Sequence, residues 1–237
     1  MINFNSLHQQ GFYTGQLTDI DPNFQIDAEI VKELKSVDPN DYNFYFCILD
    51  VESQPDWPFH LSLKEFSEKL RIVNEKNIVV KQRWREMNAA PRFNELRGYF
   101  RKFIVGFIRD AYPEIREDFS NLGFVDKFSY FDKDDFIFPH NDGNNQGRFC
   151  VVLLHLNTIS ESADNGGQLI VYSEDGKTII DPVIGTFTVL DFNNHNLIHE
   201  VTKVLNDFKR YTYICFLYNT DRVGNNWIEH ESQKYKS

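Results

Sequence analysis

Hydrophobic and polar residues follow one pattern before residue 120 and another after it. From Phe93 to Ile108, apolar residues recur at helical spacing, and the charged residues lie largely on the other faces. This periodicity predicts a long amphipathic helix that begins after Pro91 and packs its apolar face on a sheet. The same part of the chain is predicted to contain two shorter helices, at 27–37 and 62–74, and two strands, at 43–51 and 77–80.

After Pro113 the pattern is one of short strands separated by turns. The predicted strands are 124–131, 135–139, 148–157, 167–173, 177–181, 185–192, 196–202 and 209–219. Asp175-Gly176 lies between two of these runs and predicts a hairpin with a type I′ turn. Many short strands at this spacing indicate a sandwich or a barrel. We therefore expect an α+β fold that is mainly β.

The length of 237 residues allows one domain with a sizeable core. Because we find no internal repeat and no convincing linker, we interpret residues 1–237 as a single domain. Within it, we expect residues 1–120 to form a helical support region with one or two strands. Residues 121–220 would form the β-rich core, and residues 221–237 a C-terminal tail.

Composition narrows the partners and the compartment. Acidic residues outnumber basic ones by 35 to 25, and the net charge of −10 disfavours binding to a nucleic-acid phosphate backbone. The cysteines Cys47, Cys150 and Cys215 all lie in apolar runs, as expected of buried thiols in a reducing compartment. No apolar run approaches membrane-spanning length, and the N-terminus lacks the pattern of a secretion signal. We expect a cytoplasmic protein that binds neither membrane nor nucleic acid.

Two histidines and an aspartate in the β-rich half form a candidate metal site. His140 and Asp142 are two residues apart, so in an extended chain their side chains point to the same side. His199 or His195 could supply the third ligand, and His195 lies in an Asn-rich turn typical of a loop tip. Two histidines with one carboxylate are typical of the facial triad, which leaves three positions of an octahedral Fe(II) open. Taken alone, His140-x-Asp142 would sooner indicate a surface pair in the polar loop from Pro139 to Gly147.

An ordered set of motifs surrounds this candidate site between Phe128 and Tyr218. Its members are Tyr130, His140-x-Asp142, Arg148 ahead of FCVVLLHLN, Gly166-Gly167-Gln168-Leu169, Pro182 to Phe187, His199-Glu200-Val201 and Arg210. In order and approximate spacing they resemble the Fe(II)/2-oxoglutarate-dependent dioxygenases, in particular the prolyl-4-hydroxylase-like branch. The resemblance implies a double-stranded β-helix (a jelly-roll or cupin-like core) over 121–220, with N-terminal helices as its buttress. It also implies Fe(II), 2-oxoglutarate as co-substrate and O2.

The resemblance assigns expected roles to the residues of the site. His140, Asp142 and His199 would hold the metal, and His199 is favoured over His195 because Glu200-Val201 follows it, as in the family. Arg210 would bind the distal carboxylate of 2-oxoglutarate, since its planar guanidinium fork matches a carboxylate. An exposed strand arginine is the alternative for Arg210.

Further residues are expected around the co-substrate. Thr212 lies on the same strand face as Arg210 and would add a hydroxyl donor. Tyr130 and Leu169 match family positions at the co-substrate, although Tyr130 could also be a core tyrosine with a satisfied hydroxyl. His155 stands where the family usually carries a tyrosine, and it could bind the co-substrate or donate to a backbone carbonyl in the core. Arg148 could contact substrate or be structural.

The expected function is hydroxylation. Related halogenases replace the metal-binding carboxylate with a small residue, whereas Asp142 is present here. We expect a dioxygenase that hydroxylates an aliphatic C–H of an amino-acid unit, prolyl or other, in a peptide or as a free amino acid, and that converts 2-oxoglutarate to succinate and CO2. One alternative is a non-catalytic cupin-like binding protein with a vestigial metal site, which the complete motif set disfavours. Another is a zinc hydrolase, which gives no reason for Arg210-x-Thr212.

Overall fold

The protein is described by a computed structural model that covers residues 4–23, 31–32, 35–36, 43–49, 57–61, 79–88, 94–113, 122–140, 142, 148–157, 165–193, 195 and 197–219. Its helices are α1 (Asn5–Gln10), a 3-10 turn (Leu17–Asp19) and α2 (Asn94–Ala111). Its strands are β1 (Phe12–Gln16), β2 (Asn43–Leu49), β3 (Trp57–Leu61), β4 (Val79–Asn88), β5 (Leu122–Phe131), β6 (Ile137–His140), β7 (Arg148–His155), β8 (Leu169–Ser173), β9 (Gly176–Ile180), β10 (Thr186–Asp191), β11 (Ile198–Val201) and β12 (Arg210–Asn219).

The strands form two antiparallel sheets that pack face to face. The larger sheet has eight strands in the order β1-β10-β7-β12-β5-β4-β2-β3, and the smaller has four in the order β6-β11-β8-β9. Apolar residues of both sheets, among them Val151 and Phe216 of the larger and Leu169 and Val171 of the smaller, share one buried cluster. This arrangement is the double-stranded β-helix that the motifs predicted.

The larger sheet is buried on both faces, and β12 shows how its residues divide between them. Tyr213 belongs to the core that packs against α2, together with Phe100 of that helix, whereas Phe216 belongs to the core between the two sheets. Because side chains alternate along a strand, Arg210 and Thr212 share the face of Phe216. The amphipathic helix is therefore confirmed as a buttress, and Arg210 and Thr212 lie on the other side of the sheet.

The structure confirms every strand predicted after Pro113 and corrects one turn. Strands β8 and β9 form the expected hairpin, with Ser173 paired to Gly176. A type I′ turn requires positive φ at both central residues. Those residues are Glu174 and Asp175, and neither has positive φ; Gly176, which follows them, has φ 122°. The type I′ prediction was wrong because the glycine lies one position later than that turn requires.

The N-terminal half contains more strands than expected. Instead of one or two, β1 to β4 precede residue 120, and β4 pairs with β5 to extend the larger sheet. The sequence of β4, VVKQRWREMN, lacks the apolar run by which buried strands are recognised, so only its first residues were predicted as strand. The predicted helix at 62–74, the tail at 221–237 and most of the predicted helix at 27–37 lie outside the described residues. Among the described helices, none has the length and apolarity needed to cross a membrane.

Candidate metal and co-substrate site

Strand pairing in the smaller sheet brings the two candidate histidines together. His140 ends β6 and lies directly opposite His199 of β11, and their ring centroids are 4.2 Å apart. Asp142 follows β6, with Oδ2 3.6 Å from His199 Nε2 and Oδ1 3.9 Å from His140 Nε2. One donor atom from each of the three residues lies within 4.8 Å of the others. Two imidazole nitrogens and one carboxylate oxygen are thus available to a single ion.

Burial and neighbouring charges set the protonation states of His199 and Asp142. Burial, and then the neighbouring His140, lower the pKa of His199 to about 4, so this imidazole is neutral at neutral pH. Burial raises the pKa of Asp142, but Arg148 and the two histidines outweigh it and lower the net pKa below its ordinary value. A neutral imidazole and an ionised carboxylate are the forms that bind metals.

His195, the rival third ligand, lies elsewhere. Its Nε2 is 3.2 Å from the carbonyl oxygen of His8. The ring also packs so closely on Gly11 that a Cβ there would come within 2.5 Å of its Cγ. The turn before β11 therefore directs His195 toward α1, and the structure groups His199, not His195, with His140 and Asp142.

Arg210 is a buried cation without an anionic partner among the described residues. Its side chain, on the first residue of β12, is 1% exposed, and its Nε and Nη2 have no hydrogen-bond partner there. Its Cζ lies 5.1 Å from the centre of the Phe131 ring. Burial lowers the pKa of Arg210 to about 9, so the guanidinium is still charged at neutral pH. An unpaired buried charge is costly, and a bound anion would remove that cost.

Three polar side chains beside Arg210 form a row across the larger sheet. Thr212 of β12 lies directly opposite Ser129 of β5 on one side and His155 of β7 on the other. All three are buried, and within the described part of the chain Thr212 Oγ1, Ser129 Oγ and both ring nitrogens of His155 have no hydrogen-bond partner. Burial, and then Arg210, lower the pKa of His155 well below its ordinary value, so this ring is neutral. The row offers neutral donors next to a cation.

The main chain at Gly166-Gly167 passes close to the side chain of Arg210. Both glycines have positive φ, 69° and 68°, which disfavours other residues. A Cβ on Gly167 would lie 3.1 Å from Arg210 Cδ, and a Cβ on Gly166 would collide with the carbonyl oxygen of Lys203. The glycine pair thus lets the main chain pass close to the arginine side chain.

Residues 127–218 match the family model of the 2OG-Fe(II) oxygenase superfamily. These residues belong to that superfamily. The matched region contains the histidine pair, Asp142 and Arg210, and the family uses Fe(II), 2-oxoglutarate and O2. The protein is accordingly a dioxygenase, and the donor set described above suits this metal.

Solved structures support the fold of the oxygenase. A Pseudomonas putida prolyl-4-hydroxylase aligns with a TM-score of 0.54 and 16% identity, over 91% of this chain and 96% of that one. A prolyl hydroxylase from Trichoplax adhaerens, solved in complex with a peptide fragment of the hypoxia inducible factor oxygen degradation domain, aligns with a TM-score of 0.57 and 17% identity, over 92% and 88% of the two chains. At these identities the likeness concerns the fold. No curated protein sequence matches the chain.

Tyr130 lies on the helix-facing side of β5, away from the face that carries Arg210, so the structure does not group it with the other expected co-substrate residues. Its ring lies in the helix-facing core and stacks on Tyr211, with centroids 5.4 Å apart, and its hydroxyl donates to Asp132 Oδ2 at 2.8 Å. Because side chains alternate along β5, the neighbour that faces Arg210 is Phe131.

Arg210, Thr212 and His155 lie on the face of the larger sheet that packs against the smaller sheet, where they are expected to meet the co-substrate. Leu169 is buried between the two sheets, in the cluster that contains Phe131. His155 does not donate to a backbone carbonyl of the described residues, which removes the alternative considered for it. Ser129 was missed, because its position opposite Thr212 depends on a pairing register that the sequence does not reveal.

Proposed function

We propose that the oxygenase hydroxylates an aliphatic C–H of an amino-acid unit, prolyl or other, in a peptide or as a free amino acid. 2-Oxoglutarate would be decarboxylated to succinate and CO2 in the same turnover. The presence of Asp142 supports hydroxylation, since the related halogenases lack this carboxylate. The peptide bound to the Trichoplax adhaerens prolyl hydroxylase supports a peptide substrate.

The observation that carries this proposal is the buried guanidinium of Arg210, whose Nε and Nη2 have no hydrogen-bond partner among the described residues. A fully buried arginine that lacks an acidic partner among the described residues calls for an anionic ligand, and a carboxylate fits its planar fork. Thr212, Ser129 and His155 lie in a row beside Arg210, have no hydrogen-bond partner among the described residues, and could bond the remaining lone pairs of that carboxylate. A vestigial site would gain nothing from keeping these costly buried groups.

We assign the residues as follows. His140, Asp142 and His199 hold Fe(II), and Arg210, Thr212 and His155 hold the distal carboxylate of 2-oxoglutarate. Leu169 forms an apolar wall of the pocket, with Phe131 and Ser129 as added contacts from β5. Fe(II) with 2-oxoglutarate and O2 supplies the oxidising chemistry. The residues of the chain orient the co-substrate by ionic and hydrogen bonds, and the surrounding apolar core excludes water.

The test is spectroscopic first and chemical second. Under anaerobic conditions the protein with Fe(II) and 2-oxoglutarate should develop a weak visible charge-transfer band, which a zinc hydrolase would not. Peptides and free amino acids are then incubated with ¹⁸O2 and screened by mass spectrometry for one added ¹⁸O, with labelled succinate as the co-product. Iron binding without the band would contradict the assignment, and the band without any labelled product would favour the vestigial binding protein.

We also propose that residues 1–237 form one domain. β1 pairs with β10 and β4 pairs with β5, so N-terminal strands lie in the same sheet as the catalytic core. A single cooperative unfolding transition in calorimetry is expected, and two separable transitions would contradict it.

A further inference from the structure

A β-bulge at the start of β7 turns Arg148 toward the metal site. Along the ladder with β12, Cys150 pairs with Leu217, but Arg148 pairs with Tyr218, so Phe149 is an extra residue on β7. In a regular ladder Arg148 would lie one position further on and point to the helix-facing side. Bulges occur next to active sites, where they redirect a side chain.

The bulge places Phe149 and Arg148 on the faces of the sheet opposite to those that a regular strand would give them. Phe149 lies in the helix-facing core, where its ring centre is 4.8 Å from that of Tyr112. Arg148 lies on the opposite side of the sheet, over the ring of Phe216, with its Cζ 4.2 Å from the ring centre. The irregular backbone is therefore the feature that puts a guanidinium beside the metal-site carboxylate.

Arg148 is fixed at both ends of its guanidinium group. Its Nη1 lies 2.8 Å from Asp142 Oδ1, and its Nε donates to the Tyr218 hydroxyl at 3.3 Å. The side chain is 13% exposed, so this ion pair is screened little by solvent. The other oxygen of Asp142, Oδ2, lies toward His199, 3.6 Å from Nε2. The two carboxylate oxygens thus have different neighbours.

We propose that Arg148 is a positioning residue that occupies Oδ1 of Asp142, so that the carboxylate binds the metal through Oδ2 alone. This inference rests on the proposed metal role of Asp142. An octahedral ion bound by two imidazoles and one carboxylate oxygen keeps three positions, two for a chelating keto acid and one for O2. A carboxylate that used both oxygens would fill the position that O2 needs. Arg148 therefore keeps the site able to bind O2.

The test uses nitric oxide, which binds Fe(II) in the place of O2 and gives an electron paramagnetic resonance signal. Wild type, Arg148→Gln and Arg148→Lys are loaded anaerobically with Fe(II) and 2-oxoglutarate and titrated with nitric oxide. We expect Arg148→Gln to retain iron and 2-oxoglutarate but to bind nitric oxide about tenfold to a hundredfold more weakly, the range seen for groups that orient metal ligands. Lysine, which keeps the charge without the fork, should recover part of the loss.

Arg101→Gln is the matched control. Arg101 of α2 also pairs with a buried aspartate, Asp126, but on the helix-facing side of the sheet. Its loss should lower the unfolding temperature and leave nitric oxide binding unchanged, which separates positioning from the general loss of an arginine–aspartate ion pair.

Wild-type nitric oxide affinity in folded Arg148→Gln would overturn the inference. If Arg148→Gln does not fold, Arg148→Lys carries the test, and wild-type affinity and signal shape in that variant overturn it equally. Failure of the proposed function is distinguishable, because it would appear in the wild-type protein as iron bound without a charge-transfer band.

Discussion

Replacing Arg210 with methionine should weaken 2-oxoglutarate binding strongly while leaving the folded protein intact. The guanidinium is 1% exposed and would form a desolvated pair with the distal carboxylate. Removing one partner of such a pair costs about 3–5 kcal/mol. That energy corresponds to about two to three and a half decades in Kd. Iron affinity should stay close to wild type, because Arg210 is on β12 and the metal residues belong to the other sheet.

The same substitution should not lower the stability of the co-substrate-free protein. Burial depresses the pKa of Arg210 to about 9, below the unfolded value, so the charge destabilises the fold at every pH below about 9. The penalty declines as pH rises from about 9 toward the unfolded pKa. Methionine removes it and fills most of the volume, so the unfolding temperature should be unchanged or higher. 2-Oxoglutarate should raise the unfolding temperature of wild type and not that of Arg210→Met.

Anaerobic titration of the charge-transfer band and differential scanning fluorimetry measure these two effects. Arg210→Lys should recover binding only in part, because a point charge cannot reproduce the bidentate fork. Arg109→Met is the control, since the Arg109 side chain on α2 is half exposed and pairs with its neighbour Asp110. A change in Kd below about threefold for Arg210→Met, or a large loss of stability, would show that Arg210 is structural.

Four further outcomes are expected. His199→Ala should abolish iron binding, measured by metal analysis after gel filtration, whereas His195→Ala should retain it; the reverse result would mean that the wrong histidine was assigned. His155→Phe should raise the Kd for 2-oxoglutarate by about tenfold to a hundredfold, the value of one hydrogen bond to a charged group. Burial holds the pKa of His155 well below its ordinary value, so the affinity of the wild-type protein for 2-oxoglutarate should not change between about pH 6 and 8. A change of affinity with pH in this range would show that the ring titrates there. Tyr130→Phe should leave 2-oxoglutarate Kd unchanged, and a tenfold increase would return Tyr130 to the pocket.

The periodicity of apolar residues was sufficient to predict elements whose sequence pattern is produced by one type of secondary structure. The short strands after Pro113 and the helix α2 follow directly from alternation and from helical spacing. Arg210 and Thr212 were placed on one face for the same reason, because residues two apart on a strand always share a face.

The pairing register of β5 and the bulge on β7 could not be predicted from the sequence in the same way. Whether Tyr130 or Phe131 faces the smaller sheet depends on the pairing register of β5. A shift of that register by one residue would reverse the two side chains. Ser129 became visible only through its pairing with Thr212. The bulge that turns Arg148 inward has no signature in the sequence, since it is defined by two residues facing one across the ladder.

The close approach of Gly167 to Arg210 has a consequence for how this enzyme could be redesigned or diversify. On that side the pocket is bounded by main chain, and a Cβ added to Gly167 would already lie 3.1 Å from Arg210 Cδ. No side chain at this position can be shortened to admit a longer keto acid. Enlargement of the pocket must therefore begin at other residues, either at the apolar Leu169 and Phe131 or at His155, Thr212 and Ser129. At the three polar residues each truncation also removes a hydrogen-bond donor, so there a gain in space for a bulkier co-substrate lowers the affinity for 2-oxoglutarate.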